Sequence, residues 1–264
     1  MVDPGAFEWS DAGWPGASIR GQVIYEMHIG TFTGERSWAA AMRELPELAR
    51  LGVTCLEIMP LGPTGLGGSP YSSPSAFAGN VNLVSPELLV SAGLLDRHDV
   101  DRPPGFGTSA GDDERAREYK RGILEKAFHH FKGRVQGDPE LRRDYDEFLG
   151  QASSWIEDYA FFAALKDQHH GASWWTWAPA VARREPAALA QARDALGDVI
   201  EAHRFLQYVF VRQWLELRRH ANEQGIRVIG DMPMRAHLAT FQAYPPKRVM
   251  GLRAPAPGAT PPPA

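Results

Sequence analysis

The side chains able to do chemistry are few and scattered along the chain. Glu26 and His28 share one short β-branched run, VIYEMHIG, and a lone strand carboxylate of this kind reads as structural before it reads as catalytic. Asp231 closes another such run, IRVIGD. At the C-terminal end of a strand a carboxylate either serves a site or caps and pairs locally. No Asp or Glu follows it. The pairs His129–His130 and His169–His170 are sequence neighbours, which is not metal-ligand spacing, and they read as solvated helix residues. The glycines of Gly65-Leu66-Gly67-Gly68 are too few, and wrongly placed, for a phosphate loop. Cys55 is the single cysteine, so neither a disulfide framework nor a cysteine-based zinc site is available. No cofactor or metal is implied.

The composition around these residues is that of a folded chain. Its 264 residues are 44% hydrophobic and 23% charged, which excludes wholesale disorder. A net charge of −4 with no basic stripe argues against nucleic acid or a membrane surface as partner. No apolar run approaches the ~18 residues of a membrane span. The start, MVDPGAFEWSDAGWPG, is acidic where a signal peptide is basic and then apolar. The expected compartment is the cytoplasm.

The elements that must position the candidate residues follow from periodicity. Residues 1–20, rich in Trp, Gly, Pro and Asp, read as an irregular lead-in. Val23–Ile29 reads as a strand. A helix follows, with Ser37 as its N-cap and Trp38, Met42, Leu45, Leu48 and Leu51 as its apolar stripe. Pro46 lies inside it, and Gly52 closes it. Val53–Met59 is a second strand, which makes a β-α-β unit of the kind that feeds a parallel sheet. After Pro60 comes a Gly/Pro/Ser loop of about twenty residues, a length uncommon in a compact domain unless the loop is functional. Residues 96–118 read as a polar surface excursion. Helices are expected over Arg117–Lys132, Pro139–Leu149, Trp155–Asp167 and Asp198–Gln224. The last carries Phe205, Leu206, Val209, Phe210, Trp214 and Leu217 as its core stripe. Gly225 ends it, and Ile226–Asp231 is a third parallel-type strand. Residues 251–264, almost wholly Ala, Pro and Gly, cannot bury enough apolar surface to order themselves.

Three blocks in order carry a family resemblance. They are LGPTGLGGSPYSSPSAFAGNVNLVSPELLVSAGLL, SSWIEDYAFFAALKDQHHGASWWTWAPAVARREPAALAQA and FLQYVFVRQWLELRRHANEQGIRVIGDMP. They resemble the amylomaltases, the 4-α-glucanotransferases of glycoside hydrolase family 77, over about residues 61–233. The first sixty residues, with FEWSDAGWPG, VIYEMHIGTFTG and LGVTCLEIMP, are instead similar to malto-oligosyltrehalose trehalohydrolases and glycogen branching enzymes of family 13. The W-G-Y-D type fingerprint of that second family is absent, with SPYSS in its place.

The resemblance implies an α/β fold of (β/α)₈ TIM-barrel lineage with helical insertions, truncated after the third barrel strand. On that reading 21–60 is a trehalohydrolase-like first β-α-β unit and 61–233 an amylomaltase-like barrel segment. Residues 234–264 would be a disordered tail, an out-of-frame reading being one origin. The implied activity is retaining transfer of α-1,4-glucan segments between maltodextrins, which needs a carboxylate nucleophile and a carboxylic acid about 5–5.5 Å apart. The resemblance places those catalytic carboxylates on strands after the GDMP strand, so no catalytic residue is assigned and this chain is expected to be inactive. It implies substrate-binding roles for Ser69, Tyr71 and Asp231. A phenol suits that work, with an apolar face for sugar C–H groups and a hydroxyl for sugar oxygens. Trp174, Trp175 and Trp177 read as packing before a sugar-stacking platform. Two other readings stay open: a non-catalytic glucan-binding remnant or pseudogene product, and a trehalohydrolase or branching enzyme.

Overall fold

The computed structural model describes residues 20–34, 38–65, 68–101 and 110–231, with residues 13, 16, 18 and 105 singly. The expected N-cap Ser37, most of the lead-in and the whole expected tail lie outside the described residues. In chain order the elements are β1 (Ile24–Met27), α1 (Ile29–Phe32), α2 (Trp38–Arg50), β2 (Cys55–Ile58), α3 (Pro86–Ser91) and α4 (Arg97–Val100). There follow α5 (Ala110–Arg134), α6 (Pro139–Gln151), α7 (Ile156–Gln168), α8 (Pro179–Ala182), α9 (Pro186–Ala195), α10 (Gly197–Glu223) and β3 (Arg227–Gly230).

The three strands form one parallel sheet in the order β1-β2-β3, with Ile24 beside Cys55 beside Arg227 and Met27 beside Ile58 beside Gly230. Both crossover helices reach their strands through the same device. Gly52 and Gly225 adopt φ of 85° and 77°, which other residues rarely do. Val53 N–H then bonds the Leu48 carbonyl and Ile226 N–H the Ala221 carbonyl, closing each helix with a Schellman turn. Alternate strand residues point to opposite faces. Met27, Leu56 and Ile58 therefore share one face, where α2 and α10 cover them with Trp38, Leu45, Leu48 and Leu217. Pro46 sits inside α2, as its sequence position implies.

α10 is the spine of the molecule. Its C-terminal end serves the sheet core through Leu217 and Ala221. Its middle joins a second core, where Phe205, Tyr208, Val209 and Phe210 meet Phe131, Tyr145 and Phe148 of α5 and α6. Its start reaches a third core through Ile200, beside Phe161, Phe162 and Leu165 of α7.

Two expectations need correction. α5 starts at Ala110 rather than Arg117, so the surface excursion is shorter than the sequence pattern suggests. In its early part Glu114, Arg115, Arg117 and Glu118 are exposed, with Ala116 half-buried between them. A turn whose exposed residues are all charged leaves no apolar period to read. Leu51, expected in the stripe of α2, is 62% exposed because it follows the last helical residue, where the chain turns away.

Candidate functional site

The loop between β2 and α3 is built from its own polar groups. Ser69 caps a 3₁₀ turn over Pro70–Ser72, its hydroxyl accepting from Tyr71 N–H at 3.3 Å. Ser73 Oγ donates to the Ser75 carbonyl at 2.7 Å, and Ser75 Oγ accepts from the N–H groups of Phe77 and Ala78. Asn80 N–H returns to the Leu61 carbonyl at 2.8 Å, so the loop closes where it began. Serine hydroxyls suit this work because each both accepts and donates over a short reach. Tyr71 is presented by this framework with 46% of its surface exposed.

The open face of the sheet meets that loop. Ile24, Glu26, Cys55, Glu57, Arg227 and Ile229 share the face opposite α2 and α10, with Glu26 registered beside Glu57 on the neighbouring strand. Asp231 follows β3 directly. Asp231 lies beside the Tyr71 phenol, and its carboxylate's hold on the phenol proton is the main reason the Tyr71 pKa is raised above the ordinary tyrosine value. Partial burial and the negative charges of Asp231, Glu26 and Glu57 push the same way. One phenol and three carboxylates therefore gather at the C-terminal end of three parallel strands. That arrangement offers acceptors and one polarised hydroxyl to a neutral, hydroxyl-rich ligand.

The structure brings Tyr71 and Asp231 together and gives Ser69 a turn-capping contact to Tyr71. Strand register brings Glu57 beside Glu26, as its alternation with Cys55 implies. Gln207 and Gln213 went unread. They are 1% and 7% exposed and hold the backbone of Gly79 and Ser85. A signal existed, since two glutamines interrupt the apolar stripe of FLQYVFVRQW. Trp174 and Trp177 are buried at 7% and 4% in the third core, which fits packing. His129 is exposed as expected, but His169 and His170 lie past the end of α7 rather than in a helix, and His169 is half-buried, stacked on Trp177 at 5.1 Å. The remaining metal-type group among the described residues, Asp96, His98 and Asp99, has Lys126 bound to Asp99 at 2.7 Å. No helix among the described residues is long and apolar enough to cross a membrane.

Comparison with known proteins accords with this geometry. The family model described as 4-alpha-glucanotransferase matches residues 26–263. The 4-alpha-glucanotransferase of Aquifex aeolicus is 40% identical over 196 residues, 74% of this chain and 38% of that protein. That of Thermus thermophilus is 40% identical over 178 residues, 67% and 34% of the two chains. The chain thus spans little more than a third of the length of these relatives. Among solved structures, amylomaltase from Streptococcus agalactiae in complex with acarbose superposes with a TM-score of 0.76. It is 30% identical, with 88% of this chain and 47% of that chain covered. The family match begins at Glu26, inside the segment likened above to family 13 enzymes, and the comparisons give that second likeness no support. From Glu26 in β1 through the loop of Tyr71 to Asp231 after β3, the chain belongs to the 4-alpha-glucanotransferase family.

Proposed function

We propose that the chain supplies the sugar-binding side of an α-1,4-glucan transferase site and, by itself, binds maltodextrins without transferring them. On this reading β1, β2 and β3 take the places of the first three strands of a (β/α)₈ barrel, and the protein is cytoplasmic. The observation that carries it is the Tyr71–Asp231 pair at the C-terminal strand ends, on a loop and a strand more than 150 residues apart in sequence. Ser69 serves the site by fixing the turn on which Tyr71 stands.

Inactivity follows from the placement of the carboxylates. Retaining transfer needs its nucleophile and its acid on opposite sides of the scissile bond, about 5–5.5 Å apart. Glu26 and Glu57 are registered on strands ~4.8 Å apart, but they rise side by side from one sheet surface and cannot flank a bond from two sides. Acid–base assistance alone contributes ~10²–10⁴-fold, which positioning by Tyr71 and Asp231 does not replace.

Incubation of the purified chain with maltotriose, followed by chromatography for glucose and longer maltodextrins, should show no products. Maltotriose titration should perturb the site, and Tyr71→Ala and Asp231→Asn should each abolish that response. Robust turnover overturns the inactive reading, and its loss in Glu26→Gln or Glu57→Gln would move catalysis to that pair. Binding untouched by both site variants overturns the assignment of the site.

A further inference from the structure

The loop that carries Tyr71 and the strand that carries Asp231 are referenced to one helix. Two buried glutamines of α10 each grip both backbone groups of one residue on the loop's returning limb. Gln207 Oε1 accepts from Gly79 N–H at 2.7 Å while its Nε2 donates to the Gly79 carbonyl at 3.0 Å. Gln213 repeats the pattern on Ser85, again at 2.7 and 3.0 Å. A primary amide is suited to this, because it offers a donor and an acceptor side by side, as a neighbouring strand would. Six residues separate the two grips on the helix and six on the loop, so the limb runs along α10 in the same direction.

Close packing reinforces the grip. A Cβ added to Gly79 would lie 2.0 Å from the Phe210 ring, so the backbone sits directly on the helix. The next residue, Asn80, ties the limb to Leu61, just past the end of β2. Beyond Gln213, α10 runs into the Gly225 turn and β3, and then to Asp231. A slip of the limb along α10 would therefore carry Tyr71 away from Asp231.

We propose that Gln207 and Gln213 are positioning residues for the site: they hold the Tyr71 loop in register with the Asp231 strand, and glucan binding depends on that register. Gln207 is the dominant member, because Gly79 closes the Tyr71 loop, whereas Ser85 begins α3 beyond it. The proposal rests on the glucan-site reading only for what the site binds.

The test reads the Tyr71 phenol itself. With tyrosine rings carbon-labelled at Cζ, and the Tyr71 resonance identified by its absence in Y71F, the wild-type phenol should titrate above an exposed tyrosine. In Q207L and in G79A its midpoint should fall to the exposed-tyrosine value, and maltotriose affinity should weaken about tenfold, the scale of one lost buried contact. F162L, in the separate core beside α7, should lower stability and leave the Tyr71 midpoint where it was. Q213L should shift the midpoint less than Q207L and in the same direction. A raised midpoint that persists in Q207L overturns the proposal, as does a midpoint that falls equally in F162L. Where Q207L does not fold, G79A decides, since it keeps the glutamine and lifts the limb off Phe210. The titration uses no glucan, so a wild-type chain that binds no maltotriose removes the functional reading and leaves this test intact.

Discussion

On the helix side of the sheet, Met27, Leu56 and Ile58 are 3%, 0% and 4% exposed beneath α2 and α10. On the other side Ile24 and Ile229 keep 50% and 39% of their surface, beside Glu26 and Glu57. The two faces alternate along the same four-residue strands. Parity therefore separates most residues that seal the sheet from those that give its open end its charge; Tyr25, 39% exposed on the helix side, and Cys55, 5% exposed on the open side, depart from it. Stability should respond to one set and the Tyr71–Asp231 pair to the other.

The largest effects belong to the sealed face. Trp38→Ala and Leu56→Ala each remove a fully buried side chain and should cost about 3–5 and about 2–5 kcal/mol in urea unfolding. Ile229→Ala should cost under about 1 kcal/mol by the same measurement. Equal losses on both faces would break the comparison.

A pH effect comes next. Lys120 of α5 donates to the Val84 carbonyl just beyond the Tyr71 loop, and burial lowers its pKa to about 8 from 10.5, offset in part by Glu87. Between pH 8 and 10.5 the unfolded chain holds a proton that the folded chain has released, so stability should rise with pH across that window. The gain should reach up to about 3 kcal/mol, and below pH 8, where both states are protonated, this slope vanishes. Lys120→Met should flatten the profile and stabilise the chain at neutral pH, as measured by urea unfolding at several pH values.

The smallest effects belong to the open face. Glu57→Gln should lower the Tyr71 phenol midpoint, because one of the negative charges opposing its ionisation is gone. Its unfolding free energy should stay within about 0.5 kcal/mol of wild type. Tyr71→Phe should likewise keep stability within about 0.5 kcal/mol and lose maltotriose binding. A stability loss in either variant comparable with Leu56→Ala would show that the open face also holds the fold together.

Short-range pattern made much of the architecture legible. Val23–Ile29, Val53–Met59 and Ile226–Asp231 each contain the observed strand, because β-branched runs stopped by glycine or proline leave the backbone little else to do. The helices over 139–151, 156–168 and 197–223 are close to their apolar periods. The early turns of α5 are illegible because Glu114, Arg115, Arg117 and Glu118 are exposed and charged, so no apolar period marks them. The resemblance that pointed to Ser69, Tyr71 and Asp231 was legible too, in SPYSS and GDMP.

What the sequence determined by itself was the order of the three strands and of the long helices α2, α5, α6, α7 and α10, the glycine turns at Gly52 and Gly225, and the family of the loop and of the GDMP strand. Those features depend on neighbours within a few residues, or on motifs that stand unbroken in the chain. The short helices α1, α3, α4 and α8, and α9, carry too few apolar repeats to be read. What only the tertiary structure decided was which distant groups meet: Glu26 beside Glu57, Tyr71 on Asp231, and Gln207 and Gln213 on backbone 128 residues away. Such meetings are set by strand register and by how α10 lies against the loop. A glutamine in an apolar stripe has no sequence neighbour that names its partner, because the groups it satisfies are backbone N–H and C=O, which every residue but proline carries alike.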